Sequence, residues 1–102
     1  MDIAQLQDKA NTASELLKVL GNENRLLIVC QLVDGEKSVN ELEQRVGIRQ
    51  SALSQHLAIL RREGIVKTRR ESQFIYYSLD SSEAKSILKT LYGIYCSPKG
   101  RA

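Results

Sequence analysis

Residues 50–64 read QSALSQHLAILRREG. Leucines recur at positions 53, 57 and 60, and this helical spacing turns one face of a helix that begins near Gln50 toward a core, with Ile59 beside them. Gly64 closes that helix. The face away from the leucines carries short hydrogen-bonding side chains, namely Gln50, Ser51, Ser54 and Gln55. The stretch predicts an amphipathic helix with one core face and one polar face.

The segments on either side complete a recognisable order of elements. Upstream, Ser38 and Glu41 match a capping box, which predicts a short helix that Gly47 ends. Downstream, residues 65–70 and 74–79 are rich in β-forming side chains around a polar turn, which predicts a hairpin. A short helix, a turn with glycine, a second helix and a basic hairpin are typical of a winged helix-turn-helix. We therefore expect a mainly α fold with a small β-hairpin.

The outer segments predict three more helices. Residues 3–20 have apolar side chains on one helical face, and we expect Gly21 to end that helix in a left-handed conformation. Asn22 or Asn24 can cap the next helix, which is apolar nearly all round, so we expect it to be buried together with Cys30. Ser81 or Ser82 can cap the last helix, which stops at Ser97-Pro98.

The chain length predicts one domain. At 102 residues there is room for one modest core, so we assign residues 1–97 to a single winged helix-turn-helix domain and residues 98–102 to a flexible tail. A domain of this size buries a limited fraction of its surface, and apolar helices at both ends offer more burial through association. We expect a homodimer.

The positive charge is concentrated in one segment. The chain has 15 basic and 12 acidic side chains, but residues 45–70 carry seven basic side chains and a single acid, Glu63, for a formal charge of +6. A basic segment on an acidic body is the pattern expected for contact with phosphates. A merely solvated charged face is the alternative interpretation.

Several function classes receive no support from the residues. The N-terminal segment lacks the apolar run of a signal peptide or membrane span, so we expect a cytoplasmic protein with no membrane partner. One histidine, no phosphate loop and no nucleophile motif argue against an enzyme, and we expect no cofactor. Two cysteines 66 positions apart and the lone His56 do not make a metal site.

The polar helix face and the hairpin are suited to double-stranded DNA. Glutamine can pair with adenine, serine can reach bases or phosphates, and basic residues at the hairpin turn can contact the DNA backbone. An ordinary polar helix face is the alternative. Arg49 is a poor helix cap, and we include it among the expected contacts. These are Arg49, Gln50, Ser51, Ser54, Gln55, His56, Arg69, Arg70 and Gln73.

Two runs resemble the ArsR/SmtB family of bacterial repressors over nearly the whole chain. They are Asn24-Arg25-Leu26-Leu27-Ile28 and the pattern SALSQHL followed by LR and Gly64-Ile65-Val66. The resemblance implies a dimer held by the first and last helices on a twofold-symmetric operator. One recognition helix would enter each half-site, with the two helices about 34 Å apart.

The resemblance also suggests what is sensed. Many members bind metals through a Cys-x-Cys pair, but Ser38 and Asn40 stand at those positions here and no histidine follows His56. The two cysteines, Cys30 and Cys96, are similar in placement to those of the BigR/SqrR/HlyU branch. This implies a repressor that releases DNA when reactive sulfur species or oxidants join the two thiols by a disulfide or polysulfide bridge.

One alternative to that switch stays open. From the residues alone, both cysteines could be small buried hydrophobes in a constitutive or differently regulated DNA-binding protein. The apolar neighbours of Cys30 would raise the pKa of its thiol and slow its reactions.

Overall fold

The computed structural model describes residues 2–96, which form five helices and a three-stranded sheet. The elements are α1 (Ile3–Leu20), α2 (Glu23–Leu32), β1 (Lys37–Ser38), α3 (Val39–Val46), α4 (Gln50–Arg62), β2 (Val66–Glu71), β3 (Phe74–Leu79) and α5 (Ser82–Tyr95). The predicted winged helix-turn-helix is confirmed. The tail predicted for residues 98–102 lies outside the described residues. Among residues 2–96, no helix is both long and apolar enough to cross a membrane.

The core lies where α2, α3 and α4 meet the base of the hairpin. The three leucines of α4 are buried, as their spacing predicted, and Ile59 is half-buried beside them. The buried apolar side chains are Val19, Leu20, Ile28, Val29, Leu32, Leu42, Leu53, Leu57, Leu60, Ile65, Val66, Leu79, Ala84 and Leu88. Burial of this face fixes the rotation of α4 and therefore which of its side chains remain outside.

The sheet is antiparallel with strand order β1-β3-β2. Strands β2 and β3 form the predicted hairpin, in which Arg69 is opposite Tyr76 and Arg70 is opposite Ile75. Strand β1 was not predicted: its two residues pair with Tyr77 and Tyr76 across the sheet. A two-residue strand has no periodicity of its own, and this one exists because the tertiary fold brings it beside β3.

Side-chain caps start the helices at the predicted places. Asn22 accepts a hydrogen bond from the Arg25 amide at 3.1 Å, and Ser81 accepts one from the Ala84 amide at 3.0 Å. The capping box is complete, because Ser38 Oγ accepts from the Glu41 amide and Glu41 Oε1 accepts from the Ser38 amide. That exchange satisfies two backbone donors at the entrance to the helix-turn-helix.

Gly21 ends α1 as predicted, but the predicted left-handed conformation is wrong. Gly21 does follow α1, but with φ −78° and ψ 7° it is not in the left-handed region. A Cβ at this position would lie 2.9 Å from the carbonyl oxygen of Leu17. Glycine is needed here because the chain passes too close to the preceding helical turn for a side chain.

The prediction of a fully buried α2 is also wrong. Ile28, Val29 and Leu32 are buried, whereas Leu27 and Cys30 are exposed on the other side of the helix. The run of apolar residues predicts burial all round, but only one face of α2 meets the core of this chain. The other face, which carries Leu27 and Cys30, is open to solvent.

Candidate nucleic-acid interface

The polar face of α4 stands on the outside of the domain. Because the three leucines point inward, Gln50, Ser51, Ser54 and Gln55 are exposed along the N-terminal half of the helix. The structure thus brings together the side chains that the sequence predicted as base contacts. Their amide and hydroxyl groups can both donate and accept, as reading of base edges requires.

The N-terminus of α4 is open to an anion. Arg49 occupies the N-cap position and its side chain makes no capping hydrogen bond, as the sequence predicted. The first amides of the helix therefore keep their donors, at the positive end of the helix dipole and beside the exposed guanidinium of Arg49. Such an arrangement is suited to a DNA phosphate.

His56 is less exposed than the other nominated residues on α4. Its side chain is half-buried, and Nδ1 is enclosed with no hydrogen-bond partner among residues 2–96. Any contact with DNA would therefore have to use the other side of the ring, and packing is a substantial part of its role.

A cleft separates α4 from the wing, which is the β2–β3 hairpin. It has a volume of about 300 Å³ and is open to solvent. Gln50 and Ser54 line it from α4, and Gln73 and Ile75 line it from the wing. The remaining lining residues are Ser38, Val39, Asn40, Phe74 and Tyr77. Three predicted DNA contacts from two separate segments, Gln50, Ser54 and Gln73, thus line the same cleft.

The sequence reasoning missed Asn40 and Phe74 at this cleft. Asn40 is exposed in the first turn of α3, and Phe74 is an exposed aromatic side chain directly after the wing turn. The available signal was an aromatic residue directly after the polar turn of the predicted hairpin.

Ion pairs in the folded structure neutralise part of the positive charge of residues 45–70. Three of its seven basic side chains form ion pairs: Lys67 with Asp80, Arg62 with Glu63, and Arg69 with Glu36 and Glu71. Within residues 2–96, no ion pair closer than 4 Å involves the other four, which are Arg45, Arg49, Arg61 and Arg70. Of the two nominated wing arginines, Arg70 therefore keeps its charge available and Arg69 does not.

The two thiols are both exposed, which corrects the expectation that Cys30 is buried. Partial desolvation raises the pKa of Cys30, and the charge of Cys96 raises it further. The second effect is an electrostatic interaction between the thiol on α2 and the thiol that follows α5. Among residues 2–96, no three histidine, cysteine or acidic side chains gather closely enough to hold a metal ion.

Comparison with known proteins gives close matches over most of the chain. Residues 22–68 match the family described as "Bacterial regulatory protein, arsR family". The transcriptional activator HlyU of Vibrio cholerae is 47% identical over 96 residues, which cover 94% of this chain and 89% of that protein.

Solved structures agree with this result. Reduced HlyU from Vibrio cholerae matches with 46% identity and a TM-score of 0.90, covering 93% of this chain and all of that one. The transcriptional repressor BigR from Xylella fastidiosa matches with 45% identity and a TM-score of 0.86, covering 95% of this chain and 99% of that one.

Proposed function

This chain belongs to the ArsR family of transcriptional regulators, in the branch that includes HlyU and BigR, and we propose that it is a thiol-switched repressor. As a homodimer in the bacterial cytoplasm, it binds a twofold-symmetric operator and releases it when Cys30 and Cys96 of one protomer are joined. The observation that carries the proposal is the exposure of both thiols, supported by the electrostatic effect of Cys96, which follows α5, on Cys30 in α2.

The DNA contacts would come from α4 and the wing. We assign base reading to Gln50, Ser51, Ser54 and Gln55, because they are exposed on the face opposite the core. Arg49, Arg70 and Gln73 are exposed at the edges of the same surface and would contact phosphates, with His56 beside them. The relatives named as an activator and a repressor leave the direction of regulation open, and we assign repression from the overall resemblance to BigR.

Homodimerisation is supported by apolar side chains that this chain leaves in solvent. On α1, Ile3 is 71% exposed and Leu6 and Leu17 are about half exposed. At the end of α5, Tyr92 is 65% exposed, as is Tyr95. Two terminal helices with this much apolar surface fit a symmetric interface formed by both.

The dimer can be tested by sedimentation. Leu6→Lys places a charge in the proposed interface and should shift the protein to monomer, whereas Gln7→Lys, one position along the same exposed helix, should leave the dimer intact. Equal dimerisation by both variants would contradict an α1 interface.

The bridge can form by two balanced routes. With a persulfide RSSH, one thiolate takes the outer sulfur and releases RSH, and the second thiolate attacks the protein persulfide, forming the disulfide and releasing H₂S. With hydrogen peroxide, the first thiol becomes a sulfenic acid with loss of water, and the second thiol displaces another water. In each route the two cysteines lose two electrons and two protons to the named oxidant.

A polysulfide bridge keeps some of the donated sulfur. One thiolate takes the outer sulfur of RSSH and releases RSH, and the other attacks the inner sulfur of a second RSSH, forming a mixed disulfide, Cys–S–SR, and releasing H₂S. The protein persulfide then attacks the mixed disulfide at its cysteine sulfur, so that a trisulfide bridge forms and RSH leaves. Because a direct disulfide needs Cα atoms within about 7 Å, a longer bridge would relax that requirement.

The test is intact mass and peptide mapping of the free protein after treatment with a persulfide donor or with peroxide. A disulfide should lower the mass by about 2 Da and link the Cys30 and Cys96 peptides within one protomer. Cys30→Ser and Cys96→Ser should each abolish the linked peptide. A treated protein whose cysteines stay separate would favour the alternative, a DNA-binding regulator with structural cysteines.

A further inference from the structure

Arg69 is the most heavily engaged charged side chain of the wing. Its Nε lies 3.2 Å from Glu36 Oε2 and its Nη2 lies 2.5 Å from Glu36 Oε1, so the two side chains form a bidentate ion pair. Its Nη1 donates to Glu71 Oε1 at 2.9 Å, and the guanidinium lies 4.8 Å from the centre of the Tyr76 ring. We call Glu36, Arg69, Glu71 and Tyr76 the Arg69 cluster.

The cluster joins parts of the chain that are far apart in sequence. Glu36 lies in the turn between α2 and β1, 33 positions before Arg69. Strand β2 carries Arg69 at one edge of the sheet, and β1 forms the opposite edge with β3 between them. The Arg69 side chain therefore spans β3 and ties the wing to the segment that leads into the helix-turn-helix.

The register of the hairpin places Arg69 and Arg70 on opposite faces. Successive side chains of a strand alternate, and directly opposed residues share a face. Arg70 is opposite Ile75, which lines the cleft beside α4 together with Gln73 and Tyr77 at alternate positions and with Phe74 at the start of β3. Arg69 is opposite Tyr76 and turns away from that cleft, toward Glu36.

The charge of the cluster also disfavours a phosphate. One guanidinium faces two carboxylates, so the group carries a formal charge of −1 and offers no excess positive charge to DNA. Hydrogen bonds from Arg69 lower the pKa of Glu36, so that this carboxylate stays ionised to more acidic pH than an unpaired glutamate. To contact DNA, Arg69 would have to break both of its hydrogen bonds to Glu36.

We propose that Arg69 is a positioning residue that holds the wing against the α2–β1 turn through Glu36, and not a phosphate contact. This inference rests on the proposed DNA-binding function and reassigns one of its nominated contacts. Glu36, although acidic, would then be required for DNA binding, because it fixes the orientation in which Arg70 and Gln73 meet the DNA.

The test is operator affinity, measured by fluorescence anisotropy on variants whose fold is verified by circular dichroism. Glu36→Ala and Arg69→Gln should each weaken binding by roughly threefold to tenfold, and the double variant should be no weaker than either one. Arg69→Lys should lose about as much operator affinity as Arg69→Gln, because lysine keeps the charge but cannot form the bidentate hydrogen bonds. Asp34→Ala removes an acid from the same turn that does not touch Arg69, and it should leave affinity unchanged or slightly higher.

The salt dependence separates the two roles of an arginine. Because both variants would disturb the same phosphate contact through Arg70, Glu36→Ala and Arg69→Gln should change the slope of log Kd against log salt concentration by the same amount, whereas a phosphate contact by Arg69 itself would be lost only in Arg69→Gln. Tighter binding by Glu36→Ala, full rescue by Arg69→Lys, or a slope reduced by Arg69→Gln alone would overturn the proposal.

A measurement without DNA keeps this inference distinct from the DNA-binding proposal. In the free protein, Glu36→Ala should speed amide hydrogen exchange in β2 and β3 more than Asp34→Ala does. Equal exchange in the two variants would overturn the positioning role even if DNA binding is intact. If the wild-type protein bound no operator, the DNA-binding proposal would fall and the exchange data would still decide whether the Arg69 cluster holds the wing.

Discussion

Replacing Arg70 with glutamine tests the wing as a DNA-binding element. Arg70 is exposed on β2, opposite Ile75 on the cleft side of the hairpin, and within residues 2–96 it has no ion pair closer than 4 Å. Its charge is therefore available to a phosphate. We expect each protomer of the dimer to lose one phosphate contact in Arg70→Gln.

The size of the effect follows from counterion release. Each phosphate neutralised on duplex DNA contributes about 0.9 to the slope of log affinity against log salt concentration, so two contacts contribute about 1.8. Between about 50 and about 200 mM salt, the wild-type protein should lose roughly twelvefold more affinity than the variant.

The assay is a fluorescence anisotropy titration of labelled operator over that salt range. Lys85→Gln is the matched control, because Lys85 is an exposed basic residue in the first turn of α5, away from the wing turn. Its slope should equal that of the wild-type protein. An unchanged slope in Arg70→Gln, or an equal reduction in both variants, would refute the wing contact.

Three further predictions follow from the site, the fold and the thiols. Gln55→Ala should cost about 1–3 kcal/mol on the cognate operator and much less on random DNA, and equal losses on both in the same titration would limit Gln55 to backbone contact. Ser38→Ala should lower the free energy of unfolding in urea by about 0.5–2 kcal/mol, because it removes half of the capping box, and an unchanged midpoint would contradict that role. In Cys96→Ser, the rate of alkylation of Cys30 should still be rising steeply with pH at pH 9.0, the ordinary pKa of a thiol, because desolvation raises the pKa of Cys30. A rate that levels off below pH 9.0 would contradict the raised pKa.

Most of the secondary structure could be predicted because the signals are local. The leucine spacing in α4, the capping box at Ser38 and the turn around Gln73 each lie within one element and depend on neighbouring residues. The polar face of α4 was predictable for the same reason, since burial of the leucines determines which side chains face outward.

The errors concern features that depend on contacts between distant segments. The open face of α2 could not be distinguished from a buried one, because an apolar side chain looks the same whether it meets its own core or another surface. Strand β1 and the pairing of Arg69 with Glu36 exist only once the tertiary fold brings residues 33 or more positions apart together. Charge counted along residues 45–70 therefore overstated the positive charge available to DNA.

Operator affinity before and after oxidation tests the thiol switch most directly. Wild-type protein, Cys30→Ser and Cys96→Ser should bind labelled operator equally well when reduced. After treatment with a persulfide donor, the wild-type protein should lose at least about tenfold in affinity, a difference of about 1.4 kcal/mol, and regain it with dithiothreitol, whereas both variants should keep theirs. Equal release of DNA by the variants, or undiminished binding by wild-type protein in which mass spectrometry finds the bridge, would contradict the switch.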